Sequence, residues 1–407
     1  MEKNPIKVLF THYGDPWFRG SEQILLDLMT NLDPARIQPI LWCNGKLMED
    51  AGRRAGITTY RTDFEYYFDY SSPRFSPRRY LSFVREGISL VRRHDVKVIH
   101  ANSAAPNQWL LPVARTTRRP LLAHLHIDYL RRGRYVCLLH QSTLVVGVSR
   151  QVITNFLTDG MPVSRTHVIY NGIDTSRLRS SGAPALRQVL GLPEDAIVLS
   201  TAGSLISRKG HDVLIRATSM LDPGSEVHLL IVGDGPERET LERLAAEIGL
   251  QARVHFLGYR PDMPLIYEAT DVFVLASRKD ATPLVLVEAG YFSIPSVATT
   301  VGGISEVITD GKTGLLVPPN DPPALAAALQ KLIADRSYRK ELGQNARART
   351  EQMFLVDQMV NCFQQTYEKL SALPETKTGW AETTKNLRVY LPSIKQKSRN
   401  RRDDAVQ

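Results

Sequence analysis

Short apolar runs alternate with helix-like stretches along this chain, and the alternation is found once in each half. In the first half, the runs typical of strands are 6–12, 37–42, 96–100, 121–126, 144–148 and 167–170. In the second half, they are 197–202, 227–232, 254–256, 272–275, 296–299 and 315–317. Strands that alternate with helices form parallel sheets with helices on both faces. The pattern therefore predicts an α/β protein with two doubly wound, Rossmann-like domains.

A connector-like segment, 175–195, separates the two series and contains a run of Ser, Gly and Pro. We therefore predict one domain over 1–180 and a second over 181–350. A helix is expected at 351–372, packing back on the first domain. The last segment, 373–407, is basic and has little periodicity, which predicts a mobile tail.

Two local expectations concern the first domain. A helix is predicted from Ser21 to about Leu32, with Ser21 at its N-cap, where a serine side chain accepts a hydrogen bond from the first turn. Residues 60–80 are aromatic, Arg-rich and contain prolines, which predicts an irregular insertion beside the sheet.

The composition is that of a soluble protein. Among the 407 residues there is no apolar run of about 18, the length that a membrane-spanning helix needs. The residues after Met1 lack the apolar core of a signal peptide. The cysteines Cys43, Cys137 and Cys362 have no metal-type spacing, so neither a zinc site nor a disulfide framework is expected. We therefore predict a cytoplasmic location.

The formal net charge is +9, which favours an anionic partner. The excess lies in Arg-rich stretches between Arg74 and Arg134 and in the tail. Nucleic acid is not expected, because no zinc-finger spacing or RNA-binding aromatic signature accompanies the charge. A solvated basic face is one interpretation. A membrane surface or a phosphate-bearing acceptor is the functional one.

One turn of the second domain combines small residues with cations. Gly203 and Ser204 follow a strand, and Arg208 and Lys209 precede a helix. Small residues let a ligand approach the backbone, and the two cations offer charge to a diphosphate. An Arg-Lys pair in a plain surface loop is the alternative.

Glycines mark two further strand-to-helix turns. Gly233 and Gly235 lie in a Val-Gly-Asp-Gly-Pro segment, where they either admit a ligand or only form the turn. Gly302 and Gly303 follow a strand and precede a helix expected near Ser305. Consecutive glycines at such a place favour an anion-binding nest.

Two acids lie eight residues apart in the same half. Asp280 is in a loop after a strand, and Glu288 is in the apolar helix that follows. A spacing of eight returns to the same helical face, so both are expected to point to one cleft. A carboxylate in an apolar stretch needs partners, and sugar or ribose hydroxyls are good ones. Stabilisation of a helix end is the alternative.

In their order, these features resemble the retaining glycosyltransferases of the GT-B fold, in the large family 4 group. The shared pattern is strand-Gly-x5-Lys-Gly, Val-Gly-Asp-Gly-Pro, an acid with seven residues before Glu, and Gly-Gly-x-x-Glu. The resemblance covers residues 1–370 and is densest over 201–320. It implies that the two domains face a central cleft, with the acceptor on the first and the nucleotide sugar on the second.

The resemblance also implies roles for individual residues. Lys209 matches the lysine that binds the donor diphosphate, Glu288 the acid that binds the ribose, and Asp280 the acid that touches the donor sugar. The other donor-binding positions are Gly20, Gly203, Ser204, Gly233, Gly235, Gly258, Tyr259, Thr282, Pro283, Leu284, Gly302 and Gly303. The chain departs from the family twice, with Asp280 in place of Glu and Ser204 in place of a second cation, for which Arg208 substitutes.

The first domain has looser matches. The loop from Gly14 to Gly20 resembles the family's glycine-rich loop beside the donor phosphates and the acceptor. His126 is at the position of the family's active-site histidine, so it is preferred over His124 as a catalytic residue. A histidine at a strand end is more often structural, which is the alternative for both.

The resemblance implies transfer of a sugar from a UDP-, GDP- or ADP-sugar to a glycan or lipid-linked acceptor, with retention of configuration and without a metal or other cofactor. Such a reaction belongs to bacterial cell-surface polysaccharide or glycolipid biosynthesis, and the basic surface favours a peripheral position at the inner face of the membrane. The alternatives are a sugar-nucleotide epimerase of the same fold and a non-catalytic nucleotide-sugar-binding protein.

Overall fold

A computed structural model describes residues 4–14, 20–67, 75–179, 185–375 and 378–386. The chain forms two compact units: the first comprises 1–169 and 359–407, and the second comprises 170–358. The sequence places the change of domain at 180, whereas the structure places it at Tyr170.

Each unit contains one parallel sheet. The strands are β1 (Ile6–His12), β2 (Ile37–Cys43), β3 (Thr58–Arg61), β4 (Val98–Asn102), β5 (Leu121–Leu125), β6 (Leu144–Gly147), β7 (Thr166–Val168), β8 (Ile197–Ala202), β9 (Val227–Val232), β10 (Val254–Gly258), β11 (Val272–Leu275), β12 (Ser296–Thr299) and β13 (Gly314–Val317). The first sheet has the order β3-β2-β1-β4-β5-β6-β7, and the second has the order β10-β9-β8-β11-β12-β13. These are the two Rossmann-like sheets that the alternation predicts.

Helices connect the strands in both units. They are α1 (Gly20–Thr30), α2 (Lys46–Arg54), α3 (Pro77–Arg93), α4 (Asn107–Thr117), α5 (Arg131–Val136), α6 (Arg150–Thr158), α7 (Leu186–Val189), α8 (His211–Thr218), α9 (Arg238–Glu247), α10 (Met263–Ala269), α11 (Leu284–Tyr291), α12 (Ile304–Val307), α13 (Pro322–Ala334), α14 (Arg336–Met353), α15 (Val356–Ser371) and α16 (Trp380–Asn386). Every residue of the central strands β4, β5 and β9 is buried. Strands that are covered on both faces consist of nearly continuous apolar residues, so they can be recognised in the sequence.

The register of the first sheet aligns the ends of three strands. His12 of β1 pairs with Asn102 of β4, and Asn102 pairs with His124 of β5. In a doubly wound sheet, ligands bind beyond the carboxyl ends of the strands. The fold therefore gathers the polar strand-end residues of this unit where a substrate would bind.

Helix α15 passes from the second unit into the first, which it enters at Met359. Its Phe363 and Tyr367 pack against the ring of His100 in β4, at centroid distances of 5.6 and 6.0 Å. The Tyr367 hydroxyl is 2.8 Å from Nδ1 of His100.

One local expectation is wrong, and two others are contradicted only in part. Residues 60–80 are not irregular throughout, because Tyr60 lies in β3 and α3 begins at Pro77; the part from 68 to 74 lies outside the described residues. Ser21 does not cap α1, since the helix already begins at Gly20 and the Ser21 hydroxyl donates to Glu22. The segment after 373 contains α16, and the basic residues from 387 onward lie outside the described residues.

Among the described residues, no helix combines the length and apolarity needed to cross a bilayer.

Candidate active site

An ion pair joins two turns of the second unit. Lys209, in the turn between β8 and α8, donates from Nζ to Oδ2 of Asp280 over 2.6 Å. Asp280 lies in the loop between β11 and α11, where it also accepts from the Ser277 hydroxyl at 3.3 Å. The two charged side chains are only 14% and 12% exposed. The candidate phosphate-binding lysine is therefore held by the candidate sugar-binding acid.

Arg208 adds a second cation at the same place. Its Nη1 is 3.9 Å from Oδ1 of Asp280 and donates to the carbonyl of Lys279 at 3.0 Å. The Arg208 side chain is about half exposed, so it can also reach a ligand in solvent. The position that departs from the family, Ser204, is exposed, and its carbonyl oxygen is 3.3 Å from Nε2 of the buried His211.

Three glycines end three neighbouring strands of the second sheet. Gly203 after β8, Gly233 after β9 and Gly258 at the end of β10 have φ angles of 152°, 131° and 67°. The Gly203 amide donates to Val232, and the Gly233 amide donates to the Gly258 carbonyl at 2.8 Å. A Cβ on Gly233 would lie 2.0 Å from the Gly203 carbonyl oxygen, so side chains are sterically excluded there. The positive φ angles and the close packing of these turns favour glycine.

Gly235 is also too closely packed for a side chain, because a Cβ there would lie 2.5 Å from the carbonyl oxygen of Leu205. Tyr259, next to Gly258, is 80% exposed. A base or sugar can therefore contact its ring without any rearrangement of the core.

Gly302 packs directly on the backbone of Asp280. A Cβ on Gly302 would lie 1.5 Å from the Asp280 carbonyl oxygen, and its φ is 61°. Gly303 precedes the short helix α12. The Gly-Gly turn and the acidic loop are thus one packed unit, which their separation in sequence does not reveal.

Glu288 lies on α11 and is half-buried. The Tyr267 hydroxyl, from α10, donates to Oε2 of Glu288 at 2.5 Å. Burial first, and then the negative charge of Glu288, raise the pKa of Tyr267 well above its usual value, so this tyrosine remains a neutral donor. Tyr267 is a partner of Glu288 that the sequence does not reveal, because it occupies an apolar position of a helix.

Asp280 lies in a loop and Glu288 in the following helix, as predicted, but the helical spacing does not apply to the two acids. Helix α11 begins at Leu284, so Asp280 lies outside it and helical periodicity does not relate the two acids. Lys209 binds one acid and Tyr267 the other. Between them, Thr282 and Pro283 are buried and Leu284 is half-buried.

In the first unit, His126 ends a row of polar side chains. Its Nε2 is 2.7 Å from Oδ1 of Asn102, whose Nδ2 is 2.9 Å from Nδ1 of His12. Nε2 of His12 is 3.0 Å from Oε1 of Glu22, at the start of α1. His12, Asn102 and Glu22 are buried, while His126 is partly exposed. The sequence indicates His126 but not the row behind it, because only the strand order β1-β4-β5 brings these residues together.

Burial and the proximity of His12 lower the pKa of His126 to about 4, against the opposing effect of Glu22. Burial also works against ionisation of Glu22, but hydrogen bonds from His12, the backbone and Ser21 help bring its pKa to about 2. At neutral pH His126 is therefore an uncharged ring and Glu22 is an anion.

His124 and His100 are fully buried behind this row. The His124 ring contacts His126, His100 and Phe363, at centroid distances of 4.3, 5.3 and 4.9 Å. Burial lowers the pKa of His124 well below its usual value. These surroundings support a packing role for His124 and leave His126 as the histidine that a substrate can reach.

Gly20 is the exposed first residue of α1. Most of the predicted glycine-rich loop, residues 15–19, lies outside the described residues. Gly14 is described, and its amide and carbonyl both bond to the side chain of Asn44, at 3.0 and 2.9 Å.

Two family models match the two halves of this chain. The family described as Glycosyl transferases group 1 matches residues 183–349, and Glycosyltransferase Family 4 matches residues 18–177. A D-inositol 3-phosphate glycosyltransferase of Nocardia farcinica is 36% identical over 46% of this chain, and the lipopolysaccharide core biosynthesis glycosyltransferase LpsE of Rhizobium meliloti is 36% identical over 39% of it. The matches span somewhat less than half of these relatives, 44% and 46% of their lengths.

Solved structures show the same fold. Anabaena Alr3699/HepE in complex with UDP has a TM-score of 0.77 and 26% identity, and the match covers 90% of this chain and all of that one. The same protein has been solved with UDP-glucose. A glycosyltransferase from Rickettsia africae has a TM-score of 0.79 at 19% identity, over 91% of this chain and 100% of its own length.

Proposed function

Because the chain belongs to glycosyltransferase family 4, with its two Rossmann-like domains, we propose that it transfers a sugar from a nucleotide-diphosphate donor to an acceptor hydroxyl. The observation that carries this proposal is the convergence of Lys209 and Arg208 on Asp280 beside Gly203 and Gly302. Cations beside glycine turns are groups that bind a diphosphate.

The donor proposed first is a UDP-sugar. The support is the 26% identity over 90% of the chain to Alr3699/HepE, whose structures contain UDP and UDP-glucose. GDP- and ADP-sugars remain the alternatives to compare with it, since a mannosyltransferase of Mycolicibacterium smegmatis with 29% identity is named as GDP-mannose-dependent. Glu288 would accept from the ribose hydroxyls, with Tyr267 holding its carboxylate.

The proposed reaction breaks the bond between the anomeric carbon and the β-phosphate oxygen. Lys209 and Arg208 stabilise the negative charge that grows on the leaving diphosphate, and charge stabilisation of this kind is commonly the largest contribution to catalysis. The acceptor oxygen forms the new bond on the face that the diphosphate leaves, which retains the anomeric configuration. The acceptor's proton passes to a phosphate oxygen, so no protein general base is assigned.

The reaction is proposed to need no metal ion, because the two cations can take the role that a divalent ion would have at the diphosphate. In the described part of the chain, no group of three or more His, Cys, Asp or Glu side chains is arranged to hold one. Unchanged turnover after treatment with a chelator is the expected result. Activity lost with the chelator and restored by magnesium would contradict this part of the proposal.

The acceptor is proposed to be a glycan or a lipid-linked sugar at an anionic membrane surface, in cell-surface polysaccharide or glycolipid assembly. The outer face of α3 supports this, since Leu81 is 49% exposed and lies among exposed arginines. These arginines are Arg78, Arg79, Arg85, Arg92 and Arg93. Binding to anionic vesicles that weakens with added salt is expected, and absent or salt-independent binding would leave a solvated basic face.

The deciding experiment combines binding with turnover. The purified protein is screened for thermal stabilisation by UDP-, GDP- and ADP-sugars, because a ligand that binds only the folded state raises its stability. The best donor is then followed for slow hydrolysis and for transfer to candidate acceptors. Stabilisation without hydrolysis or transfer would indicate a non-catalytic binding protein, and conversion of the donor sugar without an acceptor would indicate an epimerase.

A further inference from the structure

The row Glu22–His12–Asn102–His126 has an order of donors and acceptors that follows from the placement of the Asn102 amide. An ionised carboxylate only accepts hydrogen bonds, so Glu22 requires a proton on Nε2 of His12. Nδ2 of Asn102 lies 2.9 Å from Nδ1 of His12, and an amide NH2 group only donates, so Nδ1 of His12 is an acceptor. The same amide presents its oxygen to His126.

His126, at the end of the row, has a fixed proton position for the same reason. Oδ1 of Asn102 is 2.7 Å from Nε2 of His126 and needs a donor there. His126 consequently carries its proton on Nε2, and its Nδ1 is an acceptor. Within the described residues, no hydrogen bond engages that Nδ1, and the side chain is partly exposed.

We propose that Glu22, His12 and Asn102 are positioning residues that hold His126 as the Nε2–H tautomer, so that its Nδ1 accepts a hydrogen bond from a hydroxyl of the sugar substrate. The identity of that substrate rests on the proposed function, whereas the tautomer does not. The hydrogen bond that one ring nitrogen of a histidine makes decides which of the two nitrogens bears the proton.

The surroundings of His126 keep the ring uncharged. The titratable groups around it are His12 on β1, Glu22 on α1, His100 on β4, His124 on β5, and Tyr367 of α15 behind His100. Of these, Glu22 is the anion, and it lies at the far end of the row, paired with His12. The low pKa of His126, about 4, agrees with a ring that offers a lone pair at neutral pH.

Because Gly14 has no side chain, it leaves room for the contact between His12 and Glu22. A Cβ at this position would lie 2.4 Å from Nε2 of His12 and 2.8 Å from Oε1 of Glu22. Because Asn44 ties the Gly14 backbone at both its amide and its carbonyl, the chain cannot simply move away. Gly14→Ala should therefore separate His12 from Glu22 without touching His126.

The tautomer is measured directly by NMR of the full chain labelled with 15N-histidine, at pH 8 and without substrate. His126→Gln identifies the His126 signals. The expected spectrum shows protonation on Nε2 in the wild type, with this preference reduced in Asn102→Leu and, through the far end of the row, in Gly14→Ala. A wild-type His126 protonated on Nδ1, or spectra unchanged in Asn102→Leu, would overturn the proposal.

Activity provides a second readout through Asn102→Asp. A carboxylate at this position accepts from Nε2 of His126, and its negative charge favours the protonated form of His126 and raises its pKa. Protonation removes the acceptor on Nδ1, so turnover should fall as pH decreases through the new pKa and recover above it. The matched control is Asn31→Asp, which adds the same charge at an exposed position just after α1.

A pH profile of Asn102→Asp that coincides with those of the wild type and Asn31→Asp would contradict the proposal. If the wild type transfers no sugar at all, the proposed function fails, but the NMR measurement still decides the tautomer. The two failures are therefore distinguishable.

Discussion

Nζ of Lys209 lies 2.6 Å from Oδ2 of Asp280, although the two residues come from turns that follow different strands of the second sheet. Both side chains are largely buried, so the pair is screened less than a surface ion pair. An incoming diphosphate would meet a lysine that is already oriented and only partly neutralised, because Arg208 shares the same carboxylate.

Replacing Lys209 should therefore reduce turnover. Lys209→Met is expected to lower kcat by roughly 100-fold, the size of effect seen when one stabilising group is removed from a developing negative charge. Initial rates at saturating donor measure it. Lys312→Met is the control, since Lys312 is exposed and has no assigned role. Equal rates in both variants would remove Lys209 from the site.

Gly302 is a second test of the same arrangement. Gly302→Ala should weaken donor binding and lower stability, since a left-handed backbone costs a non-glycine residue about 1–2 kcal/mol and the clash with Asp280 adds ~1–3 kcal/mol. The matched control is Gly311→Ala, which has a φ of 68° but no atom within 4 Å of the new Cβ. Denaturant titration and donor titration of both variants separate strain from steric overlap. Equal effects in the two would show that the contact with Asp280 does not matter.

The positions of the candidate donor-binding residues in the fold were largely predictable, because their glycines and cations occur at strand-to-helix turns that short apolar runs locate. Strands β8, β9, β11 and β12 are predicted with the bounds that the structure has. The packing of Gly302 on Asp280 was not predictable, since neither periodicity nor spacing indicates which turns touch.

The row behind His126 was not predicted for a related reason. His12 and Asn102 are 90 residues apart and meet only because β1 and β4 are neighbours in the sheet. Tyr267 was missed because a buried tyrosine at an apolar helix position differs from phenylalanine only in its hydroxyl, and here that hydroxyl donates to Glu288. A pattern of apolar residues shows neither the order of strands in a sheet nor the partner of a single polar atom.

Removing the Tyr267 hydroxyl should affect the donor more than the fold. Tyr267→Phe keeps the ring but leaves Glu288 without this donor, and a hydrogen bond to a charged group is worth about 1.5–3 kcal/mol. We expect the donor KM to rise by about tenfold or more, in line with that energy. Glu247→Gln, on the exposed side of α9, is the control for the companion variant Glu288→Gln. A donor KM unchanged in both Tyr267→Phe and Glu288→Gln would exclude Glu288 as the ribose-binding acid.

The C-terminal segment should contribute to the stability of the first unit through Arg115. This guanidinium is 2% exposed and donates to the Thr378 carbonyl and the Thr383 hydroxyl, both at 3.1 Å, and to the Gln141 carbonyl at 2.6 Å. A chain that ends at 377 loses two of these acceptors, which should lower the free energy of unfolding by about 2 kcal/mol or more, the cost of leaving buried donors of a charged group unsatisfied.

The matched control for that truncation is a chain that ends at 386, which keeps Thr378 and Thr383. Arg115→Met should destabilise the chain that ends at 377 less than it destabilises the chain that ends at 386, because the shorter chain has already lost those contacts. Denaturant titration of the four proteins gives the coupling. A coupling near zero would show that Arg115 does not hold the segment.

Acid should destabilise the protein below about pH 6.5 because several histidines are buried in the neutral form. Burial, as the main cause, lowers the pKa of His100 to about 3 and those of His126 and His211 to about 4. Between pH 6.5 and 4 the unfolded chain therefore binds protons that the folded chain does not, so stability decreases as pH falls through this range. His211→Gln removes one such group and should make the decrease between pH 7 and pH 5 shallower by about one proton at most. Denaturant titrations at the two pH values measure this slope, with exposed His167→Gln as the control. A slope that is the same in the wild type and His211→Gln would mean that His211 is protonated in the folded protein as readily as in the unfolded chain.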